Sequence, residues 1–387
     1  MGPTVRVVLE NIGPMKKADV STGDLTILVG PQATGKSIFL QMFKFCVDHA
    51  NIVKELKKFG FDWNNELESF LPVYFGEGMQ AIWNSQSCIE LNGRKFQIET
   101  HVKRSGGADS EAKAFYIPAQ RVLIISAGWP LPFTSFDSTY PFVVKEFSEK
   151  IRRIMDSGLG SGGTPIFPRD GYFKKEIRDA LQKSIMREGK LKLDIGLRKR
   201  IMLEIAGVSM PIMTWSAGQR EFAPLLLGLF WLLPSAKVSK KQGVNWVIVE
   251  EPEAGLHPLA IRDVFLTIVE LLSRNYKVLL STHSSGIIEL VWAINEIVSR
   301  PEASTDKKRR LLLDLFELKT TPNTNKLIKD LENKKLVVSY FKPTKTGVVT
   351  EDISSLDPGS DKKSVSEWGG LVEFTSKTNE IVAKLWR

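Results

Sequence analysis

The chain is poor in cysteine and histidine, and this scarcity removes several classes of function. Its 387 residues include only the cysteines Cys46 and Cys88 and four histidines. Two isolated cysteines cannot build a disulfide framework or a cysteine-rich metal site. No metal-ligand cluster is visible among the four histidines. Both cysteines are therefore expected to be packing residues in a reducing compartment, and the protein is expected to be cytoplasmic.

Long apolar runs are also missing. The longest, residues 225–233, lies between Pro224 and Pro234 and falls well short of the roughly 20 residues that cross a bilayer. It predicts a buried helix, so no membrane partner is expected. The sequence contains no internal repeat and no low-complexity tract, and no signal-peptide pattern is expected at its start.

The alternation of apolar and polar residues predicts further elements. Strands are predicted at 191–195 and 201–205, and helices at 142–156 and 173–187. The pair Asn92-Gly93 predicts a tight hairpin between strands at 89–91 and 96–98. A second hairpin is predicted at 337–341 and 347–353, and the charged stretch 301–313 is expected to be a linker or an exposed helix.

Basic residues outnumber acidic ones, which gives a formal net charge of +9. This excess fits a well-solvated surface and fits a nucleic-acid-binding surface equally well. DNA is therefore a candidate partner. A nucleic-acid-binding scaffold with a structural nucleotide site is one alternative function for the chain.

Residues 30–37 form a glycine-rich loop between a strand predicted at 25–29 and a helix predicted at 37–58. The loop fits the pattern G-x-x-x-x-G-K-S with the residues Gly30, Pro31, Gln32, Ala33, Thr34, Gly35, Lys36 and Ser37. Loop amides and a helix N-terminus at this position form a cradle for phosphate. Lys36 is predicted to reach the β and γ phosphates of ATP, and the Ser37 hydroxyl to bind Mg²⁺.

A second glycine-containing segment runs from Trp215 to Glu221. Ser216 is a good helix N-cap, and the small residues Ala217 and Gly218 leave backbone amides open to a phosphate. Taken alone, this segment fits an ordinary helix start as well as a binding site. Together with the loop at 30–37, it predicts a second phosphate-binding element.

Two acids, Glu250 and Glu251, end a strand predicted at 246–249. ATP hydrolysis needs one acid that holds Mg²⁺ through water and a neighbour that polarises the attacking water. Glu250 is predicted to serve the metal, and Glu251 to be catalytic.

Two weaker candidates complete the site. His283 follows a strand predicted at 278–281, and its place after the acids indicates a sensor of the γ-phosphate. Gln120 follows a strand predicted at 115–118, where a glutamine could contact Mg²⁺ or its water. The sequence leaves open whether Gln120 or Arg121 has this role, or whether Gln120 is a plain strand-end residue.

With these motifs, residues 4–295 resemble the ABC-type ATPases of the RecF, SMC and OLD group. The opening 8–14, the segment 23–30 and the run 250–258 are similar to that group. The resemblance is closest to OLD-like, AAA-type ATP-binding proteins without a fused nuclease, as found in bacterial anti-phage modules. By this resemblance, Ser216, Gly218 and Gln219 belong to the signature motif of the group, in which Ala217 replaces the usual glycine. Glu250 stands where an aspartate is more general. No long heptad run of SMC type is present.

The resemblance implies an α/β fold, namely a P-loop ABC-ATPase core with a mixed central sheet, flanking helices and an antiparallel β subdomain. Three parts are expected. They are an ATP-binding core at 1–125 and 236–300, an inserted helical lobe at 126–235 that ends in the signature helix, and a small C-terminal α+β extension at 301–387.

The resemblance also implies a function. Ser216, Gly218 and Gln219 would bind ATP held by the opposite subunit, so that ATP and Mg²⁺ lie inside a homodimer. Such a slow ATPase would regulate a separate effector, a nuclease or toxin, in DNA repair or anti-phage defence. The ATPase subunit of a transporter is a further alternative, which the run 250–253 disfavours.

Overall fold

The computed structural model describes residues 4–103, 111–125, 127–196, 198–233 and 240–386. Two of the predicted part boundaries, at 125/126 and 235/236, coincide with residues outside these ranges, as do Met1 and Pro234. The division into parts therefore stays a prediction. Within the described residues, no helix is both long and apolar enough to cross a membrane.

The main sheet and a smaller sheet are built from strands spread over the whole chain. The strands are β1 (Arg6–Ile12), β2 (Met15–Ser21), β3 (Leu25–Val29), β4 (Cys88–Leu91), β5 (Arg94–Lys95), β6 (Ala114–Ile117), β7 (Lys190–Asp194), β8 (Arg200–Ile205), β9 (Val208–Pro211), β10 (Trp246–Glu250), β11 (Lys277–Ser281), β12 (Leu336–Thr344) and β13 (Gly347–Asp352).

Helices pack on the main sheet and also occur in the segment 126–235. The α-helices are α1 (Lys36–Lys58), α2 (Leu67–Phe75), α3 (Ile98–Lys103), α4 (Phe142–Asp156), α5 (Lys175–Leu181), α6 (Ala217–Leu232), α7 (Pro258–Ser273), α8 (Ser285–Ser299), α9 (Thr305–Leu315), α10 (Pro322–Glu332), α11 (Lys363–Ser366) and α12 (Glu373–Ala383).

The main sheet has ten strands in the order β5-β4-β1-β2-β13-β12-β3-β11-β10-β6. From β12 to β6 the strands run parallel, whereas β1, β2, β4 and β5 pair antiparallel. The sheet is thus mixed and has an antiparallel part, as predicted. Every residue of β3 and β10 is buried, as expected of central parallel strands. The carboxyl ends of β3, β11, β10 and β6 therefore meet at one edge, where the candidate site lies.

The helix that follows the glycine-rich loop is tied to the rest of the core by buried charges. On α1, the Lys44 ammonium lies 3.1 Å from Asp48 and 3.1 Å from Glu146 of α4. Lys150 of α4 closes the cluster at 2.7 Å from Glu146. The Lys44 ammonium also donates to the carbonyl of Ala114, where β6 begins. One ionic cluster thus connects α1, β6 and α4.

The segment 126–235, which was expected to be an inserted helical lobe, contains a small sheet as well as helices in its described residues. The strands predicted at 191–195 and 201–205 are confirmed as β7 and β8, which pair antiparallel. A third strand, β9, extends this sheet and was not predicted. The helices predicted at 142–156 and 173–187 correspond to α4 and to α5 with the turn that follows it. Helix α4 packs against α6, where a Cβ on Gly228 would lie 2.9 Å from the Phe147 ring.

The C-terminal segment is part of the main sheet. The hairpin predicted at 337–341 and 347–353 is confirmed as β12 and β13. It lies between β3 and β2, since β12 pairs with β3 and β13 pairs with β2. The segment expected to be a small extension thus supplies two inner strands of the core. The charged stretch near 301–313, expected to be a linker or an exposed helix, forms α9.

One predicted strand is wrong in part. The Asn92-Gly93 turn has positive φ at both residues, as predicted for a tight hairpin. The second strand, however, is only the two residues of β5, and Ile98 begins α3. Strand β2 was missed because its core-facing residues alternate with lysines and an aspartate in a short, weak pattern.

Candidate active site

The glycine-rich loop connects the buried strand β3 to helix α1 at the carboxyl edge of the sheet. Gly30, Ala33 and Gly35 have φ values of 142°, 59° and 90°, which turn the chain tightly around an open concavity. A Cβ on Gly30 would lie 2.6 Å from the carbonyl oxygen of Phe341 in β12, so only glycine fits there. The first turn of α1 carries no acid and no side-chain cap, which leaves its N–H groups free for an anion.

Lys36 lies inside the loop. Its ammonium donates to the carbonyl oxygens of Gly30 and Pro31 at 2.7 and 2.8 Å and contacts the Thr34 hydroxyl at 3.4 Å. Burial lowers the pKa of Lys36 to about 8, against an opposing effect of Glu251. A buried cation held by neutral carbonyls would gain strongly from a phosphate, which makes this side chain suited to bind one. The remaining loop residues Pro31, Gln32 and Ala33 are exposed.

Glu250 ends β10 and is buried beneath the loop. Its Oε2 accepts the Ala119 N–H at 3.1 Å, whereas its Oε1 has no hydrogen-bond partner among the described residues. Burial raises the pKa of Glu250, and the Ser37 hydroxyl on α1 is the main group that opposes this rise. A buried carboxylate oxygen without a partner, next to a hydroxyl, is the kind of oxygen pair that Mg²⁺ prefers.

Glu251 directly follows, in a left-handed backbone conformation with φ 42°. Its N–H donates to the carbonyl of Ser281 on β11 at 2.9 Å. Its Oε1 lies 3.7 Å from Nε2 of His283, and both side chains are partly exposed. Burial and the Lys36 ammonium lower the pKa of His283, although Glu251 opposes this. This lowered pKa favours the neutral imidazole of His283, which faces the acid predicted to be catalytic.

Glu253 was missed as a member of the site. Its Oε1 accepts the Thr282 hydroxyl at 2.6 Å and the His283 N–H at 2.8 Å. The loop after β10 is thereby fastened to the end of β11, and the backbone of His283 is fixed. Burial raises the pKa of Glu253. The regular run of residues after Glu251 was the sequence signal that could have identified Glu253.

The second phosphate-binding element begins helix α6. The Ser216 Oγ accepts the Gln219 N–H at 3.3 Å, and Gln219 Oε1 accepts the Ser216 N–H at 3.2 Å, which forms a capping box. Gln219 also donates to the carbonyl of Ile185. The side chain of Gln219 is buried and makes hydrogen bonds within the protein. If Gln219 binds a nucleotide, it would do so through its backbone. Ser216 and Ala217 are exposed, which leaves this helix end open to solvent.

Gln120 and Arg121 have different environments. Gln120 is exposed just beyond β6, next to Ala119, which binds Glu250. Arg121 is fully buried, and its guanidinium donates to the carbonyl oxygens of Glu250 and Glu251, both at 2.9 Å. Gln120 therefore has access to a ligand at the edge of the sheet, whereas Arg121 is held by the backbone.

The residues present fit ATP with Mg²⁺. The loop supplies a glycine-lined cradle and a buried cation, and Ser37 with the unpartnered Glu250 oxygen supplies hard oxygen ligands. The described residues contain no cluster of three or more acidic, histidine or cysteine ligands. A metal here would thus depend on Ser37, Glu250, water and the substrate phosphates, as is usual for Mg²⁺.

The structure thus brings most of the predicted site together at one sheet edge. The loop with Lys36 and Ser37, the acids Glu250 and Glu251, and His283 follow neighbouring strands. The signature helix, α6, is linked to these residues through the buried side chain of Arg121. From the sequence, Arg121 was considered only as an alternative to Gln120.

Comparisons with known proteins agree with this arrangement in part. Residues 165–289 match the family model described as "AAA domain, putative AbiEii toxin, Type IV TA system". This stretch contains the signature helix, both acids and His283, whereas the glycine-rich loop lies outside it. No curated protein has detectable similarity to the chain.

Solved structures give distant similarities. The SMC head bound to the C-winged helix domain of ScpA is 10% identical with a TM-score of 0.41, over 90% of this chain and 97% of that one. The SMC head domain from Thermotoga maritima is 11% identical with a TM-score of 0.33, over 90% and 98%. A bacterial Atm1-family ABC exporter with ATP bound is 11% identical with a TM-score of 0.32, over 74% and 36%.

Proposed function

We propose that this chain is an ABC-type ATPase of the RecF, SMC and OLD group, which binds ATP with Mg²⁺ and hydrolyses it between two copies of itself. The match of residues 165–289 to an AAA domain model supports this proposal. The observation that carries the proposal is the meeting of the glycine-rich loop, Glu250, Glu251 and His283 at the carboxyl ends of adjacent parallel strands. Separately, the exposed start of α6 offers backbone N–H groups to a phosphate held by the second copy.

Each side chain has a defined part in the reaction. The loop amides and Lys36 hold the β and γ phosphates, and Ser37 and Glu250 would hold Mg²⁺, which neutralises phosphate charge when bound. Glu251 orients a water and takes its proton as the water oxygen attacks the γ-phosphorus. The bond from that phosphorus to the bridging oxygen then breaks, and ADP leaves. Neutral His283 donates a hydrogen bond to the γ-phosphate.

The proposal is tested with Glu251→Gln, which keeps the shape of the side chain but cannot accept a proton. The variant is expected to bind ATP, to hydrolyse it at least about a hundredfold more slowly, and to accumulate as a dimer. Light scattering with and without ATP and Mg²⁺ measures the mass. Lys36→Ala, which should not bind ATP, serves as the monomeric control. Glu296→Gln, at a partly exposed side chain of α8 that pairs with Arg300, serves as the neutral one.

Two results would contradict this function. If Glu251→Gln kept full turnover, the catalytic role would belong to another residue. If the mass of the wild type and of Glu251→Gln did not depend on ATP, then the ATP-sandwiched dimer would be wrong, and any oligomer would be a permanent scaffold.

We also propose that the ATP-bound dimer controls a separate effector in DNA repair or anti-phage defence. The family description names a toxin of a type IV TA system, which supports a setting with more than one component. A genuine effector should co-purify with Glu251→Gln in ATP and not with Lys36→Ala. Binding that is equal in both variants would show that the nucleotide does not control the partner.

DNA is a second candidate partner because the net charge is +9. Binding of a DNA duplex should weaken steeply as salt rises, since phosphate contacts release counterions. If the affinity is the same with Lys36→Ala as with the wild type in ATP, then DNA binding is independent of the switch, as in a scaffold.

A further inference from the structure

Arg121 is a fully buried arginine whose guanidinium contacts three segments of the site. Its Nη1 donates to the carbonyl of Glu250 at 2.9 Å and contacts that of Pro118 at 3.4 Å. Its Nη2 donates to the carbonyl of Glu251 at 2.9 Å. Its Nε donates to the carbonyl of Glu221 on α6 at 3.1 Å. One side chain thus joins the end of β6, the two acids at the end of β10, and the first turns of the signature helix α6.

The contact with the signature helix has a second component. The Glu221 carboxylate lies 3.5 Å from Nη2 of Arg121. Burial lowers the pKa of Arg121, and Glu221 is the first of the surrounding acids that oppose this. Arginine stays protonated even so. The buried cation is therefore stabilised by its partners, Glu221 in α6 and the two acids at the end of β10. Displacement of either partner would leave a buried charge poorly matched.

The contact with Glu251 fixes a strained backbone. A residue other than glycine at φ 42° is held there only when its surroundings require it. For Glu251 those surroundings are Ser281, which accepts its N–H, and Arg121, which donates to its carbonyl. The direction of the Glu251 side chain, and its approach to His283, therefore depend on the position of the guanidinium.

We infer that Arg121 is a positioning residue that makes the orientation of Glu251 depend on the signature helix. The inference rests on the proposed function. When the start of α6 engages ATP held by the second copy, any shift at Glu221 reaches the backbone of Glu251 through one planar side chain. Hydrolysis is thereby tied to closure of the dimer, beyond what ATP binding to one chain provides.

Arg121 does not act by contacting the nucleotide. It is 0% exposed, and its N–H groups are directed to protein oxygens on three sides. A lysine could replace the charge but not the fork that reaches Glu250, Glu251 and Glu221 together. The substitution Arg121→Lys therefore separates the effect of the positive charge from the effect of the guanidinium geometry.

The first test is Arg121→Lys. We expect ATP affinity within about threefold of wild type, because the phosphate loop is untouched, and ATP-driven dimer formation to persist. Turnover in the dimer should fall about a hundredfold, since a displacement near 1 Å at a catalytic group has an effect of that size. Arg300→Lys on the surface is the matched control and should be unchanged in all three readouts.

The second test changes Glu221 on α6, the partner of Arg121. It keeps the inference testable if the Arg121 variant does not fold. Glu221→Gln removes the carboxylate but keeps the backbone contact, so we expect turnover to fall about three- to tenfold at unchanged ATP affinity. In the pair Arg121→Lys with Glu221→Gln, the two losses should not add, because both act through one contact.

The outcomes separate the inference from the function on which it rests. If wild type hydrolyses ATP as a dimer and both variants do so equally fast, the positioning role is wrong and the proposed function stands. The role is also wrong if each variant loses ATP affinity in proportion to turnover, as a general structural defect would cause. A wild-type protein that never hydrolyses ATP overturns both.

Discussion

Gly218 of the signature helix lies against Gly255 of the loop after β10, so closely that a Cβ on Gly218 would be 2.9 Å from the Gly255 carbonyl oxygen. The backbone of the loop that follows the acids therefore packs closely on the start of α6, with the Leu256 side chain beside this contact. Gly255 itself has φ 70° and would place a Cβ 3.3 Å from Glu221. This contact is a second connection between the acids and the signature helix, next to the one made by Arg121.

We predict that Gly218→Ala destabilises the protein. Alanine favours a helix by about 1 kcal/mol over glycine, but forcing a methyl group against a backbone oxygen costs about 1–3 kcal/mol. Gly286, also the second residue of its helix, is the matched control, because a Cβ there meets only Ser284 Oγ at 3.4 Å. Urea unfolding should rank Gly286→Ala above wild type and Gly218→Ala below it. The reverse order would show that the loop yields easily.

ATP affinity should depend on pH through Lys36. The pKa of this ammonium is about 8 in the free protein because of burial, and bound phosphates would raise it. ATP therefore binds the protonated form, and above pH 8 binding must take up a proton. The dissociation constant should rise about tenfold for each pH unit above 8. Titration calorimetry in buffers of different ionisation enthalpy measures both the affinity and the proton uptake.

Lys36→Arg provides the comparison, because its guanidinium remains protonated across this range. Its affinity for ATP, even if weaker overall, should be flat between about pH 8 and pH 10. If wild type is equally flat, the Lys36 ammonium is not deprotonated in the free protein at these pH values.

Lys44→Met should be strongly destabilising. It removes one cation from a buried cluster and leaves Asp48 and Glu146 with reduced compensation, which costs about 3–5 kcal/mol when a buried ion pair is broken on one side. The exposed pair Arg300–Glu296 gives a control, since Arg300→Met should cost less than about 1 kcal/mol. Equal denaturation midpoints for the two variants would mean that the cluster contributes little to stability.

Two phenylalanines near the end of the chain should differ sharply. Phe341 in β12 is 0% exposed and packs on Phe39 of α1, whereas Phe374 on α12 is 82% exposed. Phe341→Ala should lower the free energy of unfolding by about 3–5 kcal/mol, and Phe374→Ala should change it by less than about 0.5 kcal/mol. Thermal unfolding compares them directly. A small effect at Phe341 would argue that β12 is not an integral strand.

The parts of the fold that the sequence predicted are those with local signals. The loop at 30–37 is specified by its own glycines and lysine, and the strand before it is a mainly apolar run. The order of strands is not local: β12 pairs with β3 although more than 300 residues separate them. Nothing near residue 336 in the sequence indicates that neighbour.

The candidate site shows the same division. The placement of Glu250, Glu251 and His283 at one sheet edge could be predicted because each lies at, or just after, the end of a readable strand. The contacts of Arg121 could not, since a single arginine beside Gln120 carries no sign of burial or of which carbonyls it meets. The opposite holds for Gln219. Its motif predicted a nucleotide-binding side chain, but in the structure this side chain forms the capping box at the start of α6.

The position of β12 has a consequence during synthesis. The phosphate loop leaves β3, and one long side of β3 has no neighbour until residues near 336 have been made. The carbonyl of Phe341 that closes over Gly30 arrives equally late. A nascent chain would therefore contain its signature helix and both acids while the glycine-rich loop still lacked β12 as a neighbour. The loop would reach its final packing only after residues near 341 had been made.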